Sequence, residues 1–454
     1  MQTTPITQTL ADYTAALRVD ALPEAVLDKL KLCIRDALEC CLSPMRDQRS
    51  DAAFSSISRS PALPCTLFGT AEHASAADAA FYNTVKGALT SRNDSSRTAI
   101  CHPGSILIPV TFAIAQQPGA SGAAVLEALL AGYETMIRLG SALVAAHING
   151  SWRNTSLVAP FGAAFAAAKL LGLDARQIAS AASFSCHFAG GVNEWAVAGT
   201  GEDVFQNGWG ARNGIFAAQL AAAGAVGCDS ILEGKSGLLS ALDALDTQKL
   251  LTEGLPDTFR ILEVMHKPID SCFMVQGPAQ TAQRLLQEAG TPIAPAQIKS
   301  VEIDVAGQAK NYPGCDNNRS IGSLVQGIMS IQLGVASTLV RGSCDGINWA
   351  PPIDEAILQL MRRCHLREDP QMTAAFPQLQ GARIRVQLQD GRCFAAHQPD
   401  VLPLTPAKVH ARFLSTAANS LSSARANTLD ALIAQFETLP DLRELCGLLE
   451  TSRA

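Results

Sequence analysis

The sequence predicts a mostly α-helical protein in which a smaller α+β lid domain is inserted into a large all-helical domain. Three observations lead to this prediction. Helical spacing and alanine-rich segments dominate up to about residue 260, apolar and polar residues alternate in the following region, and helical spacing then returns up to the C-terminus. The predicted domains are the two parts of the helical domain, 1–262 and 399–454, and the α+β domain, 263–398.

The first part of the helical domain is rich in small residues. Apolar residues recur at helical spacing from Leu126 to Ile137, and segments 158–173 and 211–225 consist largely of alanine and glycine. Alanine is the best helix former, and small side chains let helices approach closely, so we expect a dense bundle. After the α+β domain, Thr405 and Pro406 have the pattern of a helix cap followed by proline at the first helical position.

The α+β domain is predicted from alternation. Residues 298–305 and 382–388 alternate apolar and polar side chains, as half-buried strands do. Residues 389–392 (QDGR) have the composition of a hairpin turn and lead into a further strand at 393–396. Between the strands, residues 321–339 are predicted to form one helix.

Composition and motifs exclude several classes of protein. The net charge is -6 with no basic stripe, so no nucleic-acid partner is expected. No run of about 18 apolar residues and no signal-peptide pattern occurs, so neither membrane association nor secretion is expected. The 13 cysteines include no C-x-x-C pair, which predicts buried thiols in a reducing, cytoplasmic compartment and no zinc site. Nucleotide-binding, zinc-protease and serine-hydrolase motifs are absent, which leaves side-chain acid–base chemistry, or none.

Two polar segments precede predicted apolar helices in the first part of the chain. In segment 91–105, His102 lies beside backbone N–H groups that could hold an anion, or alternatively His102 and Ser105 only cap the helix. In segment 150–156, Arg153 could bind a carboxylate through two parallel hydrogen bonds, or alternatively it is a surface arginine.

Two further polar segments follow. Segment 199–209 contains Asp203 and Gln206, polar residues just ahead of a predicted helix. Alternatively, the segment is an exposed loop whose acidic residues complement the N-terminus of that helix. In segment 266–272, Lys267 lies where the helical pattern gives way to the α+β pattern, so it could neutralise a bound acid, or be a solvated lysine. These patterns alone indicate an α-rich protein with a polar cleft.

Several motifs, in their order and spacing, resemble the MmgE/PrpD family nearly from end to end. They are Asp36, residues 67–69 (LFG), 76–83 (AADAAFYN), 102–105 (HPGS), 132–134 (GYE) with 138–140 (RLG), 161–164 (FGAA), Gly208 with 211–214 (ARNG), and Lys267-Pro268 with Ser271-Cys272. The resemblance implies a homodimer, an active site between the two domains, a small carboxylic-acid substrate, and no metal or organic cofactor.

The resemblance also implies roles for individual residues. His102 and Lys267 match positions regarded as catalytic or substrate-binding, and Ser96 lies where the family commonly has threonine. Asp94 keeps one carboxylate of the family's acidic run and is predicted to orient or assist His102. The predicted catalytic residues are therefore His102, Lys267 and Asp94. The predicted substrate-binding residues are Arg92, Ser96, Arg153, Asp203, Gln206, Cys272 and Tyr312, and no metal ligand is predicted.

Four of these positions depart from the family pattern by a change of charge. Arg92 replaces an aspartate, Arg153 a histidine, Asp203 a lysine and Gln206 a histidine. The predicted function is a cofactor-independent lyase like 2-methylcitrate dehydratase, which removes a proton alpha to a carboxylate of a di- or tricarboxylic acid. The alternatives are an epimerase or isomerase of a substituted succinate or aconitate-like acid, which the departures favour, a decarboxylase, or a non-catalytic carboxylate-binding member.

Overall fold

The computed structural model describes residues 4–117, 119–291 and 293–451. Its α-helices, in chain order, are α1 (Ile6–Ala16), α2 (Glu24–Leu42), α3 (Gln48–Ser56), α4 (Ala76–Ala88), α5 (Gly104–Gln116), α6 (Gly122–Ala145), α7 (Asn154–Leu170), α8 (Ala175–Cys186), α9 (Glu194–Ala198), α10 (Asp203–Ala222), α11 (Leu238–Ala241), α12 (Phe273–Glu288), α13 (Gly307–Asn311), α14 (Leu324–Met329), α15 (Ile331–Arg341), α16 (Glu355–Met361), α17 (Pro370–Ala375), α18 (Pro406–Ser420), α19 (Ser423–Ala434) and α20 (Arg443–Leu448). The strands are β1 (Cys65–Thr66), β2 (His73–Ala74), β3 (Ile298–Val305), β4 (Cys364–Glu368), β5 (Ala382–Leu388) and β6 (Cys393–Gln398).

The predicted fold class, mostly helical with a smaller α+β part, is confirmed. The chain forms two compact units: unit 1 is Met1–Gly191, Glu202–His266 and Thr405–Ala454, and unit 2 is Val192–Gly201 and Lys267–Leu404. The chain passes from unit 1 to unit 2 after His266 and returns to unit 1 after Leu404. Both points lie a few residues beyond the predicted boundaries at 262/263 and 398/399. Segment 192–201, which the prediction assigned to the helical domain, belongs to unit 2. In the described ranges, no helix is both long and apolar enough to cross a membrane.

Unit 1 is built around α7, whose side chains are buried from Asn154 to Ala168. Helix α10 lies directly against it, because Gly210 and Gly214 face Ala159 and Ala163. A Cβ atom added at Gly214 would lie 2.3 Å from Ala163 Cβ, and one added at Gly210 would lie 2.5 Å from Ala159 Cβ. The expected close packing of small residues is therefore present between these two helices.

The prediction that helical structure continues to about residue 260 is wrong in detail. Strands β1 and β2 form a short antiparallel pair. Beyond α10, segment 224–263 contains only α11 and 3₁₀ turns at Leu245–Leu251 and Arg260–Glu263. A fully buried ion pair on α6 holds this irregular segment: Arg138 donates to the Glu253 and Thr258 carbonyls, each at 2.7 Å, and its partner Glu134 accepts from the Ile261 N–H group at 3.0 Å.

Unit 2 contains a four-stranded sheet in the order β4-β3-β5-β6. Strand β3 pairs in parallel with β4 and antiparallel with β5, and the β5–β6 hairpin turns at 389–392 as predicted. The predicted strands 298–305 and 382–388 are confirmed, and the predicted strand at 393–396 extends to Gln398. Opposite charges face each other across the strands, with Arg385 2.5 Å from Glu302 and Arg367 2.9 Å from Asp304.

The single helix predicted at 321–339 is wrong, because the chain forms α14 and α15 with a break at Ser330. This residue has extended backbone angles, φ -72° and ψ 114°. Its hydroxyl donates to the Asn317 carbonyl at 2.6 Å and accepts from the Leu333 N–H group at 3.0 Å. A serine that serves as a cap for one helix and as an anchor for a neighbouring loop cannot be recognised from apolar spacing.

Candidate active site

The predicted site residues fall in both units. Unit 1 contains Arg92, Asp94, Ser96, His102, Arg153, Asp203 and Gln206, and unit 2 contains Lys267, Cys272 and Tyr312. The side chains within each unit form distinct polar clusters, one around His102, one around Arg153 and one around Lys267.

A tight local fold brings His102 back beside Asp94 and Ser95. Ser96 and Cys101 exchange backbone hydrogen bonds of 3.0 and 3.3 Å, which closes a short loop between them. Ser95 in turn exchanges backbone hydrogen bonds of 2.8 and 2.9 Å with Met265. The Ser96 hydroxyl accepts from the Ala99 N–H group at 3.3 Å, so this predicted substrate-binding residue helps to shape the loop.

The hydrogen-bond partners of His102 assign its tautomer. Its Nδ1 atom lies 3.1 Å from the Asp94 carbonyl oxygen, which can only accept, and 2.9 Å from the Ser95 hydroxyl. That hydroxyl donates to the Asn93 carbonyl at 3.2 Å, so it too is available as an acceptor towards His102. In the neutral ring the proton therefore lies on Nδ1, and Nε2 carries the lone pair of a base.

The carboxylate of Asp94 is buried, and its hydrogen-bond partners are Gly104 and Tyr133. One oxygen accepts from the Gly104 N–H group at 2.8 Å, and the other accepts from the Tyr133 hydroxyl at 2.7 Å. Burial, together with the charge of Asp36, raises the pKa of Asp94. A Cβ atom at residue 104 would lie 2.7 Å from both Asp94 Oδ2 and the Tyr133 hydroxyl oxygen, so glycine is required there. Asp94 thus contacts His102 through its backbone carbonyl, while its carboxylate anchors the loop.

A second layer of buried charges holds the Asp94 backbone. Asp36 on α2 accepts from the Asp94 N–H group at 3.0 Å and from Arg412 at 2.8 Å, and lies 3.3 Å from His266 Nδ1. Burial alone would raise the pKa of Asp36, but His266, Arg412 and the Asp94 N–H group outweigh it and lower that pKa.

Arg92 has a local counter-ion. Its guanidinium lies 2.7 Å from Glu39, a carboxylate that is 0% exposed and that Arg412 also approaches, at 3.4 Å. Burial raises the pKa of Glu39, against the lowering effect of Arg92 and Arg412. The charge change at position 92 is therefore balanced within unit 1 by Glu39.

Arg153, Asp203 and Gln206, three of the four positions that depart from the family pattern, form one cluster between the start of α7 and the start of α10. Arg153 is 5% exposed and donates to the Asn207 side-chain oxygen at 2.5 Å and to the Ser156 hydroxyl at 3.1 Å. Its guanidinium lies 3.9 Å from the Asp203 carboxylate, and Gln206 accepts from the Ser156 hydroxyl at 2.7 Å. These three positions are thus linked through shared contacts.

This cluster corrects two alternatives from the sequence. Arg153 is not a surface arginine, and segment 199–209 is not a loop throughout, because α10 already begins at Asp203. Burial raises the pKa of Asp203, and Arg153 opposes that effect. The polar residues Asp203 and Gln206 therefore belong to the first turn of α10, whereas the alanine-rich pattern of the sequence indicated this helix only from residue 211.

In unit 2, Lys267 and Cys272 lie just before α12 in the chain, and Tyr312 lies near Cys315, which contacts Cys272. Lys267 is 3% exposed, so it is not a solvated lysine, and its ammonium donates to the Ser271 carbonyl at 3.2 Å. Cys272 directly precedes α12, and its sulfur lies 4.0 Å from the sulfur of Cys315. The Cys315 N–H group donates to the Tyr312 carbonyl at 3.0 Å.

The sequence did not assign Asp36, Tyr133 or Ser95 to the site, although they hold Asp94 and His102. Asp36 and Tyr133 do lie in motifs that carry the family resemblance, and this was the one available signal. Over the described residues, no three His, Cys, Asp or Glu side chains are grouped so that they could hold a metal ion.

Comparisons with known proteins agree with this fold. The family model of the MmgE/PrpD N-terminal domain matches residues 8–250, and that of the MmgE/PrpD C-terminal domain matches residues 270–438. A cis-aconitate decarboxylase of Aspergillus terreus is 22% identical to this chain, with 98% of this chain and 96% of the relative covered. A cis-aconitate decarboxylase-like protein, oryM, of Aspergillus oryzae is 30% identical over 51% of this chain and 50% of its own length.

The chain therefore has the two-part architecture of a mostly helical protein with an α+β unit, and both parts match models of one family. It belongs to the MmgE/PrpD family. Because this family includes lyases, the match supports an enzyme of the lyase type and leaves the substrate open.

Proposed function

We propose that this protein is a lyase that acts on a small di- or tricarboxylic acid through proton transfer at the carbon alpha to a carboxylate, without a metal or an organic cofactor. The observation that carries the proposal is the contact of His102 Nδ1 with the Asp94 carbonyl, which assigns the proton of the neutral ring to Nδ1. Because Nδ1–H is donated to the Asp94 carbonyl and the Ser95 hydroxyl, Nε2 is the basic nitrogen. Histidine is suited to this role because it gains and loses a proton near neutral pH.

In the proposed dehydration, His102 Nε2 takes the proton alpha to a carboxylate, and the electron pair of the C–H bond passes into an enolate-like anion. That pair then forms the new C=C bond as the bond to the β-oxygen breaks, and the leaving hydroxide takes the proton from His102 and departs as water. Lys267 provides a buried ammonium that binds a substrate carboxylate and stabilises the developing charge.

Decarboxylation is a variant of the same chemistry, and the names of two relatives include the word decarboxylase. The bond to the carboxyl carbon would break, CO₂ would leave, and the electron pair would remain on the neighbouring carbon. A protonated His102 would then supply the proton that this carbon needs.

An epimerase or isomerase is the second candidate, and a specific observation favours it. Arg153, Asp203 and Gln206, which differ in charge from the family pattern, share contacts around Ser156 and Asn207. A cluster altered in this concerted way is the kind of change that a different substrate would require. In this reaction the α-carbon would lose its proton from one face and gain a solvent-derived proton on the opposite face, with no loss of water or CO₂.

The deciding experiment is incubation of the protein with a panel of acids in D₂O, followed by NMR. The panel contains 2-methylcitrate, cis- and trans-aconitate, and substituted succinates. Formation of an alkene with loss of water supports a dehydratase, loss of CO₂ a decarboxylase, and deuterium incorporation alone an epimerase. Calorimetric binding without any turnover would leave a non-catalytic carboxylate-binding protein and overturn the proposal of a lyase.

Two variants test the assigned roles with any acid that turns over. His102→Gln should lower kcat by about 10²–10⁴-fold, the range typical of acid–base groups. Lys267→Met should lower kcat/KM through weaker carboxylate binding. His187→Gln, which alters an exposed histidine after α8, is the matched control and should retain activity. Near-normal turnover by a folded His102→Gln variant would remove His102 from the mechanism.

We also propose, from the family resemblance, that the protein is a cytoplasmic homodimer. All 13 cysteines are free thiols, which fits a reducing compartment. Light scattering after size-exclusion chromatography should give twice the mass of the chain, and a value equal to one chain would overturn the dimer.

A further inference from the structure

Two cysteines of unit 2 meet at the start of α12. Cys272 is half-buried, Cys315 is fully buried, and their sulfur atoms lie 4.0 Å apart. Both backbones are held in place: the Cys272 N–H group donates to the Ile328 carbonyl at 2.9 Å, and the Cys315 carbonyl accepts from the Ile331 N–H group at 3.1 Å. The two thiols are therefore neighbours because of the fold, although they are far apart in the chain.

This pair differs from the other buried cysteines. Cys65 and Cys364 donate to the Ala113 and Leu360 carbonyls, at 3.2 and 3.4 Å, and burial raises the pKa of each to about 12. Such thiols are inert at neutral pH. Cys272, in contrast, has another thiol as its hydrogen-bond partner and is only partly buried.

The surroundings of Cys272 favour its thiolate form. A hydrogen bond from the Cys315 thiol lowers the pKa of Cys272 most, and the Met274 N–H group and the Lys267 ammonium lower it further, against the effect of burial. The same contact with Cys272, followed by burial, raises the pKa of Cys315. The pair thus places a thiol with a lowered pKa beside one with a raised pKa, the arrangement that dithiol exchange sites use.

We propose that Cys272 and Cys315 are a site of reversible oxidation, at which they form a disulfide by exchange with a small-molecule disulfide. The Cys272 thiolate attacks one sulfur of that disulfide, breaks its S–S bond and releases one thiolate. The Cys315 thiol then loses its proton and attacks Cys272, which releases the second thiolate. The two cysteines are oxidised by two electrons, and the small disulfide is reduced to two thiols.

The sulfurs must approach from 4.0 Å to the S–S bond length of about 2.05 Å. The bond would join the start of α12 to the loop that follows α13. Because Lys267 and Tyr312 flank the two cysteines in the chain, oxidation would also change substrate binding, a consequence that rests on the proposed function.

The test uses the full chain, oxidised glutathione as the probe, and mass spectrometry after acid quenching and alkylation of the remaining thiols. The expected product has lost two hydrogens, contains a peptide linked through Cys272 and Cys315, and returns to the dithiol on addition of reduced glutathione. In Cys315→Ser, glutathione should remain attached at Cys272, because no second thiol displaces it. In Cys272→Ser, Cys315 should remain reduced, because it is buried and the attacking thiolate is missing.

The exposed cysteines Cys228 and Cys393 supply the control. The double variant Cys228→Ser/Cys393→Ser should still form the internal disulfide, and its circular dichroism should match that of the unaltered protein. The proposal is overturned if the linked peptide does not form in this variant, or if Cys272 in Cys315→Ser gains glutathione no faster than Cys228. Neither result depends on turnover of a carboxylic acid, so failure here is distinct from failure of the proposed function.

Discussion

Asp36 and Glu39 lie one turn apart on α2, and both carboxylates are at most 1% exposed. Arg412 reaches both of them, with separations of 2.8 and 3.4 Å. Two neighbouring carboxylates removed from water need such a cation, because an unbalanced buried charge is strongly destabilising. Since Asp36 also accepts from the Asp94 N–H group, this ion network supports the loop that carries His102.

Arg412→Met is expected to lower the free energy of unfolding by about 3–5 kcal/mol at pH 7, the range for breaking a buried ion pair. The difference from the unaltered protein should shrink as the pH falls towards 5, because Glu39, whose pKa burial already raises, takes up a proton and removes part of the unbalanced charge. Urea unfolding at both pH values measures this. Arg46→Met, which breaks an exposed pair with Asp51, should leave the unfolding midpoint unchanged. A deficit that is equal at both pH values would contradict the electrostatic explanation.

Ser95 is a positioning residue for His102, because its hydroxyl lies 2.9 Å from Nδ1. Ser95→Ala should lower kcat roughly fivefold, as expected for loss of one hydrogen bond of about 1 kcal/mol, with KM little changed. The remaining bond to the Asp94 carbonyl preserves the tautomer. Steady-state kinetics with an acid identified by the D₂O panel measures the effect, and Ser95→Thr should restore activity. A loss that appears in KM alone, or no rescue by threonine, would argue against this role.

At the scale of elements, glycine sets the distance between α7 and α10. Gly214→Ala should lower the free energy of unfolding by about 1–2 kcal/mol, because overpacking costs about 1–3 kcal/mol while alanine regains up to about 1 kcal/mol of helix propensity. The reason is that the new Cβ atom would lie 2.3 Å from Ala163 Cβ and 2.8 Å from the Ala164 nitrogen. Urea unfolding of the variant measures this difference.

Gly447→Ala is the matched control for that substitution. Gly447 lies within α20, and a Cβ atom added there would meet nothing within 4 Å. Only the propensity gain applies, so this variant should be as stable as the unaltered protein or more stable. If Gly214→Ala were also stabilising, the close contact between α7 and α10 would not be the feature that requires glycine.

Some helix ends are set by local signals, and others depend on contacts with residues elsewhere in the chain. Thr405 and Pro406 start α18 as predicted, because a threonine cap and a first-turn proline are local signals. The break at Ser330 and the start of α10 at Asp203 were not predicted. The first depends on a hydrogen bond to Asn317, and the second on a polar first turn that contacts Arg153.

At the scale of the whole molecule, folding shifts the pKa values of buried carboxyl groups of unit 1 in opposite directions. Burial is the largest cause that raises the pKa of Glu39, Asp94, Glu134 and Asp203. A group whose folded pKa is raised adds stability as the pH falls through that value, because the folded chain binds the proton more tightly. Asp36 has a lowered pKa, so its contribution is present above the unfolded value and is lost in acid.

The free energy of unfolding is therefore expected to increase as the pH is lowered towards about 4, the ordinary range of carboxyl groups in the unfolded chain, and to fall below it, where the unfolded chain takes up a proton that Asp36 in the folded chain does not. Urea unfolding at constant ionic strength, followed at several pH values, measures this curve. Stability that rises steadily from pH 5 to 8 would show that carboxyl groups with lowered pKa dominate instead.

Local pattern was sufficient for the division into helical and α+β regions and for strands β3 and β5 to the residue, and the resemblance of several motifs to those of a known family indicated the family. These features depend on periodicity and on neighbouring residues, which the chain displays directly. The pairing of Arg92 with Glu39, the tautomer of His102 and the meeting of Cys272 with Cys315 could not be foreseen in that way. Each depends on groups that folding brings together from separate parts of the chain, and the orientation of a side chain towards a distant partner leaves no periodic trace in the sequence.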